Sequence, residues 1–216
     1  MTAELVEVHR IQQSFRAVMD AMARPGCLKT LKTSDREGEL EKALGKPLAT
    51  LVSIFVDQAV TFSVAHADAK AILETVAAET HAIPTTMDTA AFAIVSHGAD
   101  ELAMADVIAT VSGGNLISPE TGATVLIGCE RLMAPERESS EQSEPDGMQW
   151  VSIEGPGVKD AHVFGVDCAE WAWARNRRAD EFPCGIDIVL ADQSGQVVAI
   201  PRTSFVSLLA VGKKAM

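Results

Sequence analysis

Basic residues are scarce in this chain. Its 18 Lys and Arg stand against 30 Asp and Glu, a formal net charge of −12. That balance argues against nucleic acid as the main partner, because a phosphate backbone needs a basic footprint. An anionic membrane surface is disfavoured on the same ground, and no apolar run approaches the roughly 20 residues that span a bilayer. Met1 to Arg10 lack the apolar core of a signal peptide. The cysteines, Cys27, Cys129, Cys168 and Cys184, form no Cys-x-x-Cys pair. Reduced thiols in a cytoplasmic protein are therefore expected, rather than a zinc site, an iron–sulfur centre or a disulfide framework. His9, His66, His81, His97 and His162 show no metal-ligand spacing, so neither metal nor cofactor is expected. Tyrosine is absent altogether, which makes Trp171 and Trp173 conspicuous. They straddle a helix, so one of them should be exposed.

What is present suits one α/β domain over residues 1–216. Apolar residues make up 47% and charged residues 22%, enough for a substantial core. Val8, Ile11, Phe15, Val18, Met19 and Met22 share a helical face that stops at Arg24-Pro25-Gly26. On the other face Arg16 and Asp20 are spaced for an i,i+4 pair. Cys27 to Leu31 reads as a short strand. A helical region over Glu37 to Asp57 breaks at Gly45-Lys46-Pro47, where Pro47 suits a first turn. Val60, Phe62 and Val64 alternate as a strand does, and Asp68 is placed to cap a helix running to Ala78.

Ala90 to Val95 and Ala123 to Cys129 read as strands on either side of a helix from Asp100 to Val111. Residues 135–147, rich in Glu, Ser and Pro, read as a mobile acidic loop. It should join the strand ending at Cys129 to an antiparallel one from Met148 to Ile153. A helix is expected near Cys168 to Asp180, then a strand hairpin around Asp192-Gln193-Ser194-Gly195, then a short final helix from Ser204 to Val211. The order of elements predicts a three-layer mixed β-sheet covered by helices.

Several motif-like stretches fail on inspection. Gly155-Pro156-Gly157 follows a strand, but Asp160 occupies the third glycine position of a dinucleotide loop, where a carboxylate would repel pyrophosphate. Gly45-Lys46 superficially matches a phosphate loop, yet Leu40 and Pro47 stand at its glycine and hydroxyl positions. No Gly-x-Ser-x-Gly elbow is present.

The hairpin is more informative. Asp187 interrupts one apolar strand, and Arg202 follows Pro201 just past the other. Arg175, Arg177 and Arg178 precede it. Guanidinium forks suit phosphate or carboxylate, so an anion site is one reading. The plainer reading pairs Arg202 with Asp187 and leaves the helical arginines solvated. A two- or four-residue turn would put Asp187 and Arg202 on one face of the sheet. The Asp-Gln-Ser-Gly wording favours a three-residue loop with Gly195 left-handed, which puts them on opposite faces and leaves Asp187 seeking another partner.

Several segments, in order, resemble the H-subunit family (PhnH) of the bacterial carbon–phosphorus lyase core complex. They are Gln13-Ser14-Phe15-Arg16, Arg24-Pro25-Gly26, Pro119-Glu120-Thr121-Gly122-Ala123-Thr124, Gly155-Pro156-Gly157, Phe182-Pro183-Cys184-Gly185-Ile186-Asp187 and Ile200-Pro201-Arg202-Thr203. The resemblance implies phosphonate catabolism, in a complex that makes ribose 1-methylphosphonate 5-triphosphate from ATP and methylphosphonate. It implies a fold like that of pyridoxal-phosphate-dependent transferases without the cofactor. It also implies a homodimer that joins the other core subunits and has no activity alone. Arg16, Glu120, Asp187 and Arg202 become candidates for ligand or interface contacts, the ligand being a phosphate or phosphonate anion. The alternative is a stand-alone enzyme or binding protein for a small anionic metabolite.

Overall fold

The computed structural model describes residues 3–35, 37–97, 99–135 and 147–209. The acidic loop expected at about 135–147 falls, apart from its two ends, outside the described residues. Six helices are described: α1 (Ala3–Ala23), α2 (Glu39–Leu44), α3 (Lys46–Phe55), α4 (Ala69–Thr80), α5 (Glu101–Thr110) and α6 (Glu170–Asn176). The strands are β1 (Lys29–Thr30), β2 (Thr61–Ala65), β3 (Ile83–Pro84), β4 (Phe92–Val95), β5 (Thr124–Cys129), β6 (Leu132–Met133), β7 (Gln149–Glu154), β8 (His162–Val166), β9 (Asp187–Asp192), β10 (Gln196–Ile200) and β11 (Phe205–Leu209).

The result is a mixed α/β architecture. A seven-stranded sheet runs β1-β10-β9-β5-β4-β2-β3. Its centre, β9, β5, β4 and β2, is parallel, with β3 parallel to β2. The β9–β10 hairpin and β1 add an antiparallel edge. The parallel strands read as near-continuous apolar runs because both faces are covered. Alternation sorts them: Val125 and Ile127 face one apolar cluster with α5 and α6, while Leu126 faces another with α1 to α4.

A second sheet, β11-β7-β8-β6, is antiparallel throughout. It overturns two sequence expectations. The strand from Gln149 pairs with β8 and β11 and not with β5, which lies in the other sheet. The expected final helix is instead β11, an edge strand in register with β7 from Phe205 opposite Glu154 to Leu209 opposite Trp150. Its apolar residues satisfy a two-residue period as readily as a helical one, and the free edge of β7 decides between them.

Helix α1 also differs in which stripe it buries. Ser14, Val18 and Ala21 are inside, whereas Val8, Phe15 and Met19 are each at least 44% exposed. The Ser14 hydroxyl bridges the backbone of Lys32, accepting from its N–H and donating to its carbonyl. Asp20 pairs with Arg24 and Lys29 rather than with Arg16. The Lys29 ammonium holds the Asp20 carboxyl below its usual range. Asp100 caps α5 by accepting from Ala103 N–H, but Asp68 makes no side-chain cap to α4. Of the two conspicuous tryptophans, Trp171 is fully buried and stacks on Phe164, while Trp173 is 57% exposed.

Asp192, at the end of β9, is 2% exposed. It accepts hydrogen bonds from Leu132 N–H, Gln196 N–H and the Ser194 hydroxyl. It thereby fixes the hairpin and the start of β6 together. Asp192→Ala would leave two backbone donors unpaired, and we expect it to lower unfolding free energy by about 2–4 kcal/mol. Urea denaturation with an unchanged m-value checks this; a loss below about 1 kcal/mol would contradict the role.

Candidate functional site

Three of the segments singled out in the sequence, 119–124, 182–187 and 200–203, converge at the amino-terminal ends of β5 and β9, where Thr124 stands beside Asp187. The hairpin loop is the three-residue type, with Gly195 at φ 91°, and Ile188 pairs with Ile200. Strict alternation would therefore keep Asp187 and Arg202 apart. They meet nonetheless. Pro201 has no N–H to continue the ladder, and the chain leaves it in a turn closed by Ser204 N–H on the Pro201 carbonyl. Outside the ladder the face rule lapses, and Arg202 swings onto Asp187.

The contact is multiple. Arg202 N–H donates to Asp187 Oδ1 at 2.8 Å, and its Nε and Nη2 donate to Oδ2 at 3.1 and 2.6 Å. The other side of the guanidinium donates to the carbonyls of Pro119 at 2.5 Å and Gly122 at 3.4 Å. Both side chains are mostly buried, 18% and 16% exposed. One guanidinium thus clamps the Pro119–Thr121 turn, β9 and the exit from β10. Backbone bonds reinforce it: Gly185 N–H donates to Gly113 O, and Asp187 N–H to Ala123 O. Packing is tight enough that a Cβ on Gly122 would strike the Gly185 carbonyl and Arg202 Nη1.

The arginines expected to be solvated are, in two of three cases, part of this framework. Arg175 donates through Nη2 to the carbonyls of Ser204, Pro201 and Arg202, and burial pushes its guanidinium below its usual value. Arg178 pairs with Asp180 and donates to the Ile108 carbonyl near the end of α5. Arg177 is exposed. Residues 175 and 178 lie one turn apart on α6 or just past it, and that spacing is the signal that could have marked them. Around these side chains lies a cavity of about 200 Å³, bordered also by Cys184, Gly185 and Ser204.

The other two site candidates stand apart. Glu120 is exposed on the turn that Arg202 clamps, with no hydrogen bond or ion pair among the described residues. Arg16 is exposed on α1, and no contact among the described residues joins it to Arg202. The arrangement is rich in donors whose donor capacity is already engaged by protein oxygens. It offers a rigid bracket rather than an acid–base pair.

Nucleophiles fare no better. Burial pushes the Cys168 thiol up to about 12 and that of Cys129 higher still, which keeps both protonated. Cys27 Sγ lies 3.4 Å from His162 Nδ1, but that nitrogen is 2.7 Å from the Pro25 carbonyl. A carbonyl only accepts, so Nδ1 carries the proton and cannot take one from Cys27. Among the described residues no group of three or more His, Cys, Asp and Glu could hold a metal ion. No described helix is long and apolar enough to cross a membrane.

A family model described as bacterial phosphonate metabolism protein (PhnH) matches residues 4–207. That span takes in all of the seven-stranded sheet, all but the ends of α1 and β11, and every segment that meets at Arg202. No curated protein matches the chain.

Removing one member of a buried, multiply bonded pair strands the other. We expect Arg202→Ala to cost about 3–5 kcal/mol of unfolding free energy. Arg202→Lys should recover little of it, because an ammonium cannot span Asp187 and two carbonyls at once. Thermal or urea unfolding tests this; near-native stability of Arg202→Lys would show that charge alone suffices. Iodoacetamide at about pH 8 should leave Cys129 and Cys168 unmodified in the folded protein and reach both in urea.

Proposed function

The chain belongs to the bacterial phosphonate metabolism protein (PhnH) family, and from that premise we propose that it is a subunit of the carbon–phosphorus lyase core complex. Family membership implies a part in phosphonate metabolism. The finer reading is that the protein contributes to formation of ribose 1-methylphosphonate 5-triphosphate from ATP and methylphosphonate and turns over neither by itself. The observation that carries this reading is the family match across nearly the whole chain. The likeness to a pyridoxal-phosphate transferase fold without its cofactor, the homodimer and the cytoplasmic setting belong to the same reading.

Two features support a role exercised in company. The Arg202–Asp187 bracket is engaged by the protein's own carbonyls and carboxylate, so its rigidity serves to place the loops it clamps. Those loops carry large apolar side chains outward: Leu116 is 64% exposed, Ile117 94% and Phe182 76%. Apolar and aromatic groups on rigidly held loops suit the centre of a protein interface. Glu120, on the same clamped turn, is then a rim contact. Arg16 belongs to a different surface, the exposed side of α1.

The pure chain should release no adenine from ATP in the presence of methylphosphonate, and the reconstituted complex should do so. Turnover by the pure chain would overturn the proposal. The double variant Ile117→Asp, Phe182→Asp should weaken association with the other core subunits by about 30-fold or more, with an unchanged melting temperature. Unaltered association would remove these loops from the interface.

A further inference from the structure

The Gly45-Lys46-Pro47 junction, which fails as a phosphate loop, lies at the other end of the parallel sheet from Arg202. There it lines a cleft of about 340 Å³ together with Lys42, His97 and Gln193. The cleft opens beyond the carboxyl ends of β4, β5 and β9. His97 comes two residues after β4, and Gln193 directly follows β9. The winding of the chain reverses between β2 and β4: β2 leads outward through α4 to β3, and β4 leads back through α5 to β5. The cleft lies on the β4 side of that reversal, outside the strand carboxyl ends, the edge at which open α/β sheets take their ligands.

His97 is the informative side chain. Its ring lies over Gly128, so closely that a Cβ there would fall on the imidazole. Both ring nitrogens are withdrawn from solvent and neither has a hydrogen-bond partner among the described residues. The hydroxyl of the adjacent Ser96, a residue 2% exposed, is unpaired in the same way. Buried polar atoms are normally satisfied, and of these two residues it is His97 that borders the cleft.

The surrounding charge says which kind. Lys46 makes no ion pair among the described residues, whereas Lys42 is held by Glu39. Lys46 and Pro47 open the ten-residue helix α3, whose amino terminus has no side-chain cap. Pro47 has no N–H and Ala49 N–H is bonded to the Gly45 carbonyl, so it is the positive end of the helix dipole that favours an anion there. The carboxylates bonded to lining residues are engaged by them, Glu39 by Lys42 and Glu130 by Gln193 Nε2 at 2.5 Å.

We propose that this cleft binds the phosphate or phosphonate group of a small ligand. Lys46 supplies the charge, the first turn of α3 the dipole, and His97 a hydrogen bond once its imidazole turns to bring a ring N–H to the cleft. The volume exceeds what one such group fills and lies in the range of about 300–1,000 Å³ usual for small-molecule sites, leaving room for a substituent. The inference rests on the cleft's own chemistry and holds whether or not the chain works in a carbon–phosphorus lyase complex.

Calorimetric titration with inorganic phosphate tests it, followed by competition with methylphosphonate and with ATP. Saturable binding is expected. His97→Ala and Lys46→Met should each weaken it by about ten-fold or more, since a hydrogen bond to a charged group is worth that much. Lys159→Ala, at an exposed position away from the cleft, should leave it unchanged. Tighter competition by ATP would assign a nucleotide polyphosphate, and tighter competition by methylphosphonate a phosphonate; both support the site. No saturable binding of any of the three would overturn the proposal. So would binding that survives both substitutions. Lys46 is on the surface, so the Lys46→Met arm stands even if His97→Ala fails to fold.

Discussion

A guanidinium taken mostly out of water must find oxygen for each of its N–H groups, and at Arg202 that requirement organises one whole end of the molecule. Asp187 supplies the countercharge and both of its oxygens, and Pro119 and Gly122 supply carbonyls. Because Arg202 and these partners lie on three separate stretches of chain, none can shift without stranding a donor or a charge. The approach of Gly122 to the Gly185 carbonyl and the path of the Pro119–Thr121 turn are consequences of closing this bracket. Arg175 extends it by gathering the carbonyls at the exit from β10.

The two ends of the parallel sheet consequently differ in kind. At the amino-terminal end cations face the protein's own oxygens, and the segments 119–124, 182–187 and 200–203 are spent on architecture. At the carboxyl end a histidine with idle ring nitrogens and an uncapped helix face a cleft. Division of labour of this sort is common in open α/β sheets, where stability and ligand chemistry occupy opposite edges.

Much of the large sheet was legible in the sequence, because its signals are local. Pro25-Gly26 ends α1, Gly45 separates α2 from α3, and the apolar runs of β4, β5 and β9 announce strands covered on both faces. Of the small sheet only β7 was legible, since β6 has two residues, β8 gives no clear alternation, and β11 is intelligible only beside β7. The bracket was half legible. Asp187 and Arg202 drew notice as charges among apolar residues, and the turn length was read correctly. The inference that they part company assumed that alternation continues past Pro201, where the ladder has already ended. The His97 cleft gave no signal, because its parts are scattered over residues 42 to 193 and only the fold assembles them.

The missing tyrosine has a practical side. Near-ultraviolet absorption and emission come almost wholly from three indoles, and each has its own surroundings. Trp171 is sealed beside Phe164, Trp150 is half-buried on β7, and Trp173 stands out from α6. An indole shielded from water emits to the blue of one that is hydrated. The chain therefore carries its own optical reporters. Its short-wavelength emission follows the integrity of the interior, and its long-wavelength emission follows whatever comes to lie against α6, with no dye attached.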